Sequence, residues 1–188
     1  GLHPGARILV PLCGKSLDML WLLEQRYCVT GIEISRLAVE SFFGENGLEY
    51  EREEDAGYSL YRSGDLQIHC ADFFDLGERA LPPTDAVYDR ASLVALPPAM
   101  RAAYVQHLDS LIRPGTRSLL LSLDYPPEEM RGPPFAVTPG EVDSLYGDGY
   151  SIRPIHTEDC LAREPRFRKK GLTRLEEHEF LLEKNRSG

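Results

Sequence analysis

Residues 7–16, Arg7-Ile8-Leu9-Val10-Pro11-Leu12-Cys13-Gly14-Lys15-Ser16, hold a short apolar run that ends at a glycine turn. An apolar run without alternation is the pattern of a strand buried on both faces, as at the centre of a parallel sheet. Ser16 can cap a helix behind the turn, and Asp18 then falls in its first turn, where the helix dipole favours an anion. Leu17, Leu20 and Trp21 share one face at helical spacing. Strand, tight turn and helix together form the opening unit of a doubly wound α/β fold.

The alternation continues outward from that stretch. Residues 28–34 (CVTGIEI) read as a second strand, and Ser35 as the cap of a helix carrying Ala38, Val39, Phe42 and Phe43. Trp21, Phe42 and Phe43 are expected in the core. Residues 45–57 are polar and acidic and read as a surface loop. Residues 58–62 and 66–70 alternate around Ser63-Gly64, which predicts a hairpin feeding a third strand. Residues 85–88 read as a fourth strand. Pro97-Pro98 opens a helix to about Ile112, and residues 119–123 form a fifth strand. Prolines 126, 127, 133, 134 and 139 then stiffen an irregular excursion, followed by a helix at 139–146 and β-like runs at 149–157 and 174–183. The expected fold is α/β, a doubly wound, mostly parallel, Rossmann-like sheet with an antiparallel strand near the C-terminus, as a single domain over 1–188.

With 42% hydrophobic and 27% charged residues, the chain of 188 residues is neither a disordered tail nor a fibre or coiled-coil rod. Its 21 basic and 30 acidic residues give a net charge of −9, which opposes binding to a phosphate polyanion. The basic run Arg166–Lys170 does not reverse this, because residues 149–188 hold nine Lys/Arg against seven Asp/Glu. Nucleic acid is therefore not an expected partner. No apolar run approaches the ~20 residues that cross a bilayer, so no membrane association is expected. Cys13, Cys28, Cys70 and Cys160 lie far apart without a C-x-x-C pair. That spacing suits reduced thiols in a cytoplasmic protein and predicts no metal site.

Ligands of open α/β sheets bind beyond the carboxyl ends of the strands. Gly14-Lys15-Ser16 resembles the end of a phosphate loop, but the loop's earlier glycine would fall at position 9, which is Leu. The G-x-G-x-x-G pattern is missing as well. Glu33 ends the second strand, 19 residues after Gly14, where a carboxylate can accept both hydroxyl protons of a ribose. A solvated acid at a strand end would read the same when taken alone. A ribose acceptor without a pyrophosphate cradle points to a nucleoside ligand, and S-adenosylmethionine is the commonest of these on this fold.

The same residues resemble a known family. Val10-Pro11-Leu12-Cys13-Gly14-Lys15-Ser16, with Asp18-Met19 and Trp21-Leu22, is similar to the first motif of thiopurine S-methyltransferases, and Gly31-Ile32-Glu33-Ile34-Ser35 to their second. Cys70-Ala71-Asp72-Phe73-Phe74-Asp75-Leu76, Tyr88-Asp89-Arg90-Ala91-Ser92-Leu93 and Gly132-Pro133-Pro134-Phe135 follow in the family's order, so the resemblance runs from about Gly5 to Leu182. It implies a class I methyltransferase with S-adenosylmethionine as cofactor. Leu12 would meet its methionine part, Glu33 the ribose, and Asp72 and Phe73 the adenine. Arg90 would serve both cofactor and acceptor, and Arg166, in a basic loop, the acceptor alone. Gly132-Pro133-Pro134-Phe135 would wall the acceptor pocket. The resemblance also implies a preceding helix with tryptophans that closes over the cofactor. Because a strand follows Gly1 almost at once, such a segment is expected ahead of this chain.

The implied reaction is in-line transfer of a methyl group to a small thiol, thiopurine-like, selenium or tellurium nucleophile. Arg90 and Arg166 would stabilise the acceptor anion, with no metal required. The alternatives are a cofactor-binding protein with little turnover, and a methyltransferase of the same fold acting on oxygen or nitrogen. Arg90 could also be half of a surface ion pair with Asp89. Cys13, with no base to activate it, is not expected to be a nucleophile. A monomer is expected.

Overall fold

The apolar run becomes strand β1 (Arg7–Val10), three of whose four residues are buried. The protein is seen here as a computed structural model that describes residues 1–55 and 57–186. It divides into two units, Gly1–Tyr88 with Ser110–Ile112, and Asp89–Asp109 with Arg113–Gly188.

In the first unit β1 is followed by α1 (Asp18–Glu24), β2 (Cys28–Glu33), α2 (Arg36–Glu45), β3 (Glu51–Asp55), β4 (Tyr58–Ser63), β5 (Leu66–Cys70) and β6 (Ala86–Asp89). The strands lie in the order β3-β4-β5-β2-β1-β6. β1 pairs in parallel with β2 and β6, and β2 with β5, whereas β3 and β4 run antiparallel at the edge. Ile8, Val10, Val29 and Ile68 of the strands pack against Met19 and Leu22 of α1 and Val39, Phe42 and Phe43 of α2. Burying each such side chain contributes about 1.5–3 kcal/mol before chain entropy is counted.

Three sequence expectations change here. The acidic stretch read as a loop contains β3, a strand whose five residues are all exposed. Alternation cannot mark a strand with no buried face. Its charges do what an edge needs, discouraging further strands from pairing with it. Ala56, also in that stretch, lies outside the described residues. Helix α1 begins at Asp18 rather than behind Ser16, whose Oγ accepts the Asp18 N–H at 3.3 Å. Its apolar stripe is rotated as well, since Met19 and Leu22 face the core while Leu17 and Trp21 are 63% and 54% exposed. Ser35 caps α2 as expected, accepting the Ala38 N–H at 3.2 Å, and Phe42 and Phe43 are fully buried.

The second unit contains α3 (Ser92–Ala95), α4 (Pro98–Leu111), β7 (Arg117–Asp124), α5 (Pro139–Tyr146), β8 (Tyr150–Asp159), α6 (Pro165–Lys169) and β9 (Glu176–Lys184). β9 lies between β7 and β8 and is antiparallel to both, which bears out the expected antiparallel strand, while β8 runs in the same direction as β7. Tyr125, Cys160, Phe167, Leu172 and Leu175 form a core of their own. Arg101 is buried, donating from Nε to the Leu96 carbonyl at 3.1 Å and from Nη1 to Glu141 of α5 at 2.6 Å. All four cysteines are free, Cys13 and Cys160 buried and the other two half-buried. Among the described residues no helix is long and apolar enough to cross a membrane.

Two buried polar groups respond to substitution in opposite ways. His69 is 1% exposed, lies 5.4 Å from the Tyr58 ring, and neither of its nitrogens finds a hydrogen-bond partner among the described residues. Burial, helped by the Arg62 charge, pushes its pKa down from 6.5 to about 4. The unfolded chain therefore binds the extra proton first, and His69 costs stability as pH falls from about 6.5 towards about 4. His69→Phe should flatten the stability–pH curve in that window, as read by urea unfolding at several pH values; an unchanged slope would place the acid sensitivity elsewhere. Tyr104, by contrast, donates to Asp89 Oδ2 at 2.6 Å inside the second unit. Tyr104→Phe removes that donor from a buried carboxylate and should lower unfolding stability by about 1–3 kcal/mol.

Candidate active site

In the first unit the carboxyl ends of β1, β2 and β5 come to one edge. After Val10 the backbone turns sharply, with Leu12 at φ +44° and Gly14 at φ +52°. The left-handed region costs a residue with a side chain about 1–2 kcal/mol, so Leu12 stays there only because its surroundings hold it. The Cys13 N–H donates to the Ile32 carbonyl at 2.8 Å, which ties the turn to β2. Glu33 then closes the arrangement. Its Oε2 accepts the Gly14 N–H at 2.9 Å and its Oε1 the Ser35 N–H at 2.7 Å. One carboxylate thus bridges the turn before α1 and the turn before α2.

The end of β5 joins this edge through the Ala71 N–H, which donates to the Glu33 carbonyl at 3.1 Å. Asp72 is exposed and caps the 3-10 turn Phe73–Asp75, its Oδ1 accepting the Phe74 N–H at 2.9 Å. Phe73 is buried and meets the half-buried Phe74 edge-on, with ring centroids 5.5 Å apart. The structure therefore brings Leu12, Glu33, Asp72 and Phe73 to one edge, each set by the strand before it.

This edge fits a nucleoside ligand such as S-adenosylmethionine. A carboxylate oxygen can accept two hydrogen bonds, so each oxygen of Glu33 keeps acceptor capacity for a ribose hydroxyl. A Cβ placed on Gly14 would meet no atom within 4 Å, so space is open above the turn. A phosphate loop does not fit, because Lys15 reaches sideways to Glu45 at 2.7 Å on the surface. Burial, with the nearby Glu33 charge, pushes the Cys13 thiol well above its ordinary pKa. It stays protonated and is no nucleophile at neutral pH.

Arg90 and Arg166 belong to the second unit. Arg90 is exposed directly after β6, but its neighbour Asp89 is no surface acid. Asp89 is 2% exposed, with Oδ1 on the Ser92 N–H at 3.1 Å and Oδ2 on the Tyr104 hydroxyl. That corrects the reading of residues 89–90 as a surface ion pair. Arg166 sits in the helix α6 rather than in a loop, because Pro165 starts a turn and Phe167 is buried beneath it. Its Nε donates to Glu164 at 2.9 Å and its guanidinium lies 4.7 Å over the Phe167 ring. In the 132–135 loop, Gly132 adopts φ +70° under the Phe135 ring, the Tyr125 hydroxyl donates to the Pro134 carbonyl at 2.6 Å, and the Phe135 N–H to the Val94 carbonyl at 2.6 Å.

A family model described as thiopurine S-methyltransferase matches residues 1–185. The chain belongs to the thiopurine S-methyltransferase family. A thiopurine S-methyltransferase of Nitrosospira multiformis is 50% identical over 179 residues, covering 95% of this chain and 81% of that protein. One from Bordetella petrii is 45% identical over 183 residues, covering 97% and 84%. Among solved structures, a SAM-dependent methyltransferase of Methanosarcina mazei has a TM-score of 0.71 at 15% identity, covering 99% of this chain and 95% of that one. The fold is thus that of class I methyltransferases. As a thiopurine S-methyltransferase family member the chain is an S-adenosylmethionine-dependent methyltransferase.

Sequence reasoning passed over Gly31 in this family member. A Cβ there would stand 2.8 Å from Cys13 Sγ and 3.3 Å from Met19 Sδ. Only glycine lets the turn that carries Leu12 fold down onto β2. Gly31→Ala should destabilise the fold by about 1–3 kcal/mol through overpacking. Adding Cys13→Ala should recover part of that loss in denaturant unfolding. A double variant no more stable than Gly31→Ala alone would remove the Cys13 contact as the cause.

Proposed function

We propose that this methyltransferase acts on a small thiol, thiopurine-like, selenium or tellurium acceptor in the cytoplasm, with Leu12, Glu33, Asp72, Phe73 and Arg90 holding the cofactor and Arg90 and Arg166 serving the acceptor. The observation that carries the cofactor half is the Glu33 carboxylate, fixed by two backbone N–H groups and facing the open space above Gly14. Family membership supports the acceptor half.

When bound, S-adenosylmethionine supplies an electrophilic methyl group on its sulfonium sulfur. Glu33 accepts the ribose hydroxyls on the capacity its two N–H bonds leave free, and the strained turn at Leu12 presents main chain to the methionine part. Asp72, exposed at the end of β5, borders the adenine, with Phe73 packed beneath the same turn. Arg90 and Arg166 supply positive charge for an acceptor anion, which lowers the free energy of the thiolate relative to the thiol. Glu164 holds the Arg166 guanidinium in place at 2.9 Å and is exchanged for the acceptor. The net charge of −9 keeps nucleic acid out of the list of acceptors.

The test is calorimetry with S-adenosylmethionine and S-adenosylhomocysteine, combined with turnover of a small aromatic thiol over a range of pH. Glu33→Gln should weaken cofactor binding at least tenfold, since hydrogen bonds to a charged group contribute ~1.5–3 kcal/mol each and a tenfold change is about 1.4 kcal/mol. Arg166→Ala should leave cofactor affinity nearly unchanged and lower kcat/KM, most at low pH where the thiol needs help to ionise. Unchanged cofactor affinity in a folded Glu33→Gln variant would remove Glu33 from the site. Equal losses for acidic and ordinary thiols in Arg166→Ala would make Arg166 an orienting group instead.

A further inference from the structure

The second unit brings together three metal-binding side chains, one of which, Asp124, lies 52 and 54 residues before the other two, Glu176 and His178. Asp124 ends β7 and Glu176 begins β9, and the antiparallel register sets them directly opposite each other, with His178 two residues further along β9 on the same face. One ligand atom from each of Asp124, Glu176 and His178 lies within 4.8 Å of the other two.

Like charges directly opposite in a sheet repel, so the Asp124–Glu176 pair needs a cation. Arg174 provides one from the open side, donating from Nη2 to Asp124 Oδ1 at 3.1 Å and from Nη1 to Glu176 Oε2 at 2.9 Å. It does not serve the third member. His178 is 8% exposed, its Nε2 has no hydrogen-bond partner among the described residues, and that nitrogen faces Glu176 Oε2 at 3.6 Å, too far for a hydrogen bond. Buried nitrogens are rarely left without a mate.

The other ring nitrogen is held. Nδ1 lies 3.0 Å from Thr157 Oγ1 on β8, which pairs with β9 so that Thr157 sits opposite His178. An imidazole anchored through one nitrogen, with the other turned towards carboxylates, is the usual arrangement of a metal-ligating histidine. The His178–Glu176 separation of 3.6 Å agrees with a tetrahedral ion, whose bonds of about 2.1 Å separate its ligands by about 3.4 Å, and Asp124, within 4.8 Å of both, closes in by a rotation of its side chain.

We propose that Asp124, Glu176 and His178 form a binding site for one divalent transition-metal cation of the Zn²⁺ and Co²⁺ type, with Arg174 as its internal competitor. One imidazole and two carboxylates suit borderline ions, and a three-ligand set leaves a position for water. The half-exposed Arg174 side chain swings outward when the ion enters. The expectation of no metal site rested on spacing along the chain, which cannot register a pairing made across strands. The proposal is independent of the acceptor chemistry above.

The test uses the full chain titrated with Co²⁺ alone, reading the visible d–d absorption, with Zn²⁺ calorimetry alongside. One equivalent should bind, raise the unfolding temperature, and show no near-ultraviolet thiolate-to-metal band. Asp124→Asn and His178→Gln should each weaken binding at least about tenfold, with circular dichroism confirming the fold. Arg174→Gln removes the cation that offsets the Asp124–Glu176 repulsion, so the metal-free variant should lose some unfolding stability while keeping its circular dichroism, and it should tighten Co²⁺ binding severalfold. Any of three results would overturn the site: no saturable binding up to about 1 mM, a weak limit for a specific site; thiolate bands; or Arg174→Gln binding no tighter than the natural chain.

Discussion

The Glu33 carboxylate is the constraint around which the first unit is arranged. β1 and β2 each end in a turn that must release the chain into a helix, and a single acidic side chain accepts one N–H from each turn. Hydrogen bonds to a charged acceptor contribute about 1.5–3 kcal/mol each, enough to hold a non-glycine residue such as Leu12 in the left-handed region. The geometry of the turn and the direction of the carboxylate are therefore one decision. The group that builds the edge is also the group proposed to meet the ribose.

Gly31 belongs to the same decision from below. The turn folds down onto β2 far enough for the Cys13 N–H to reach the Ile32 carbonyl, and the thiol of Cys13 then occupies the volume a side chain at 31 would need. Cys13 is a packing residue whose burial keeps its thiol protonated. Its place in the motif is explained by size rather than reactivity.

The second unit is organised by buried polar groups to which the sequence gives no weight. Asp89 is gripped by Tyr104 and Ser92, and Arg101 by Glu141 and the Leu96 carbonyl. Burying such groups is tolerable only when they are paired, and pairing them fixes where α4 and α5 stand. With Asp89 turned inwards, the next residue in the chain, Arg90, is left exposed. Arg90 is thus presented by a polar interior, whereas Arg166 lies over the buried Phe167 ring of an apolar one.

What the sequence determined by itself is the part governed by local rules. The apolar runs at 7–10 and 28–33 became adjacent parallel strands, Ser35 capped α2, Pro98 opened α4, and Gly14 and Glu33 fell together at the carboxyl edge of the sheet. Tertiary structure decided whatever depends on which face a residue ends up showing. Trp21 faces outwards because α1, which starts at Asp18, one residue later than a Ser16 cap implies, packs on the sheet through Met19 and Leu22. β3 formed from Glu51-Arg52-Glu53-Glu54-Asp55 because pairing to β4 supplies its hydrogen bonds without requiring any buried side chain. Asp124, Glu176 and His178 met because antiparallel register equates positions far apart in the chain, and no spacing rule along one strand can see across to another.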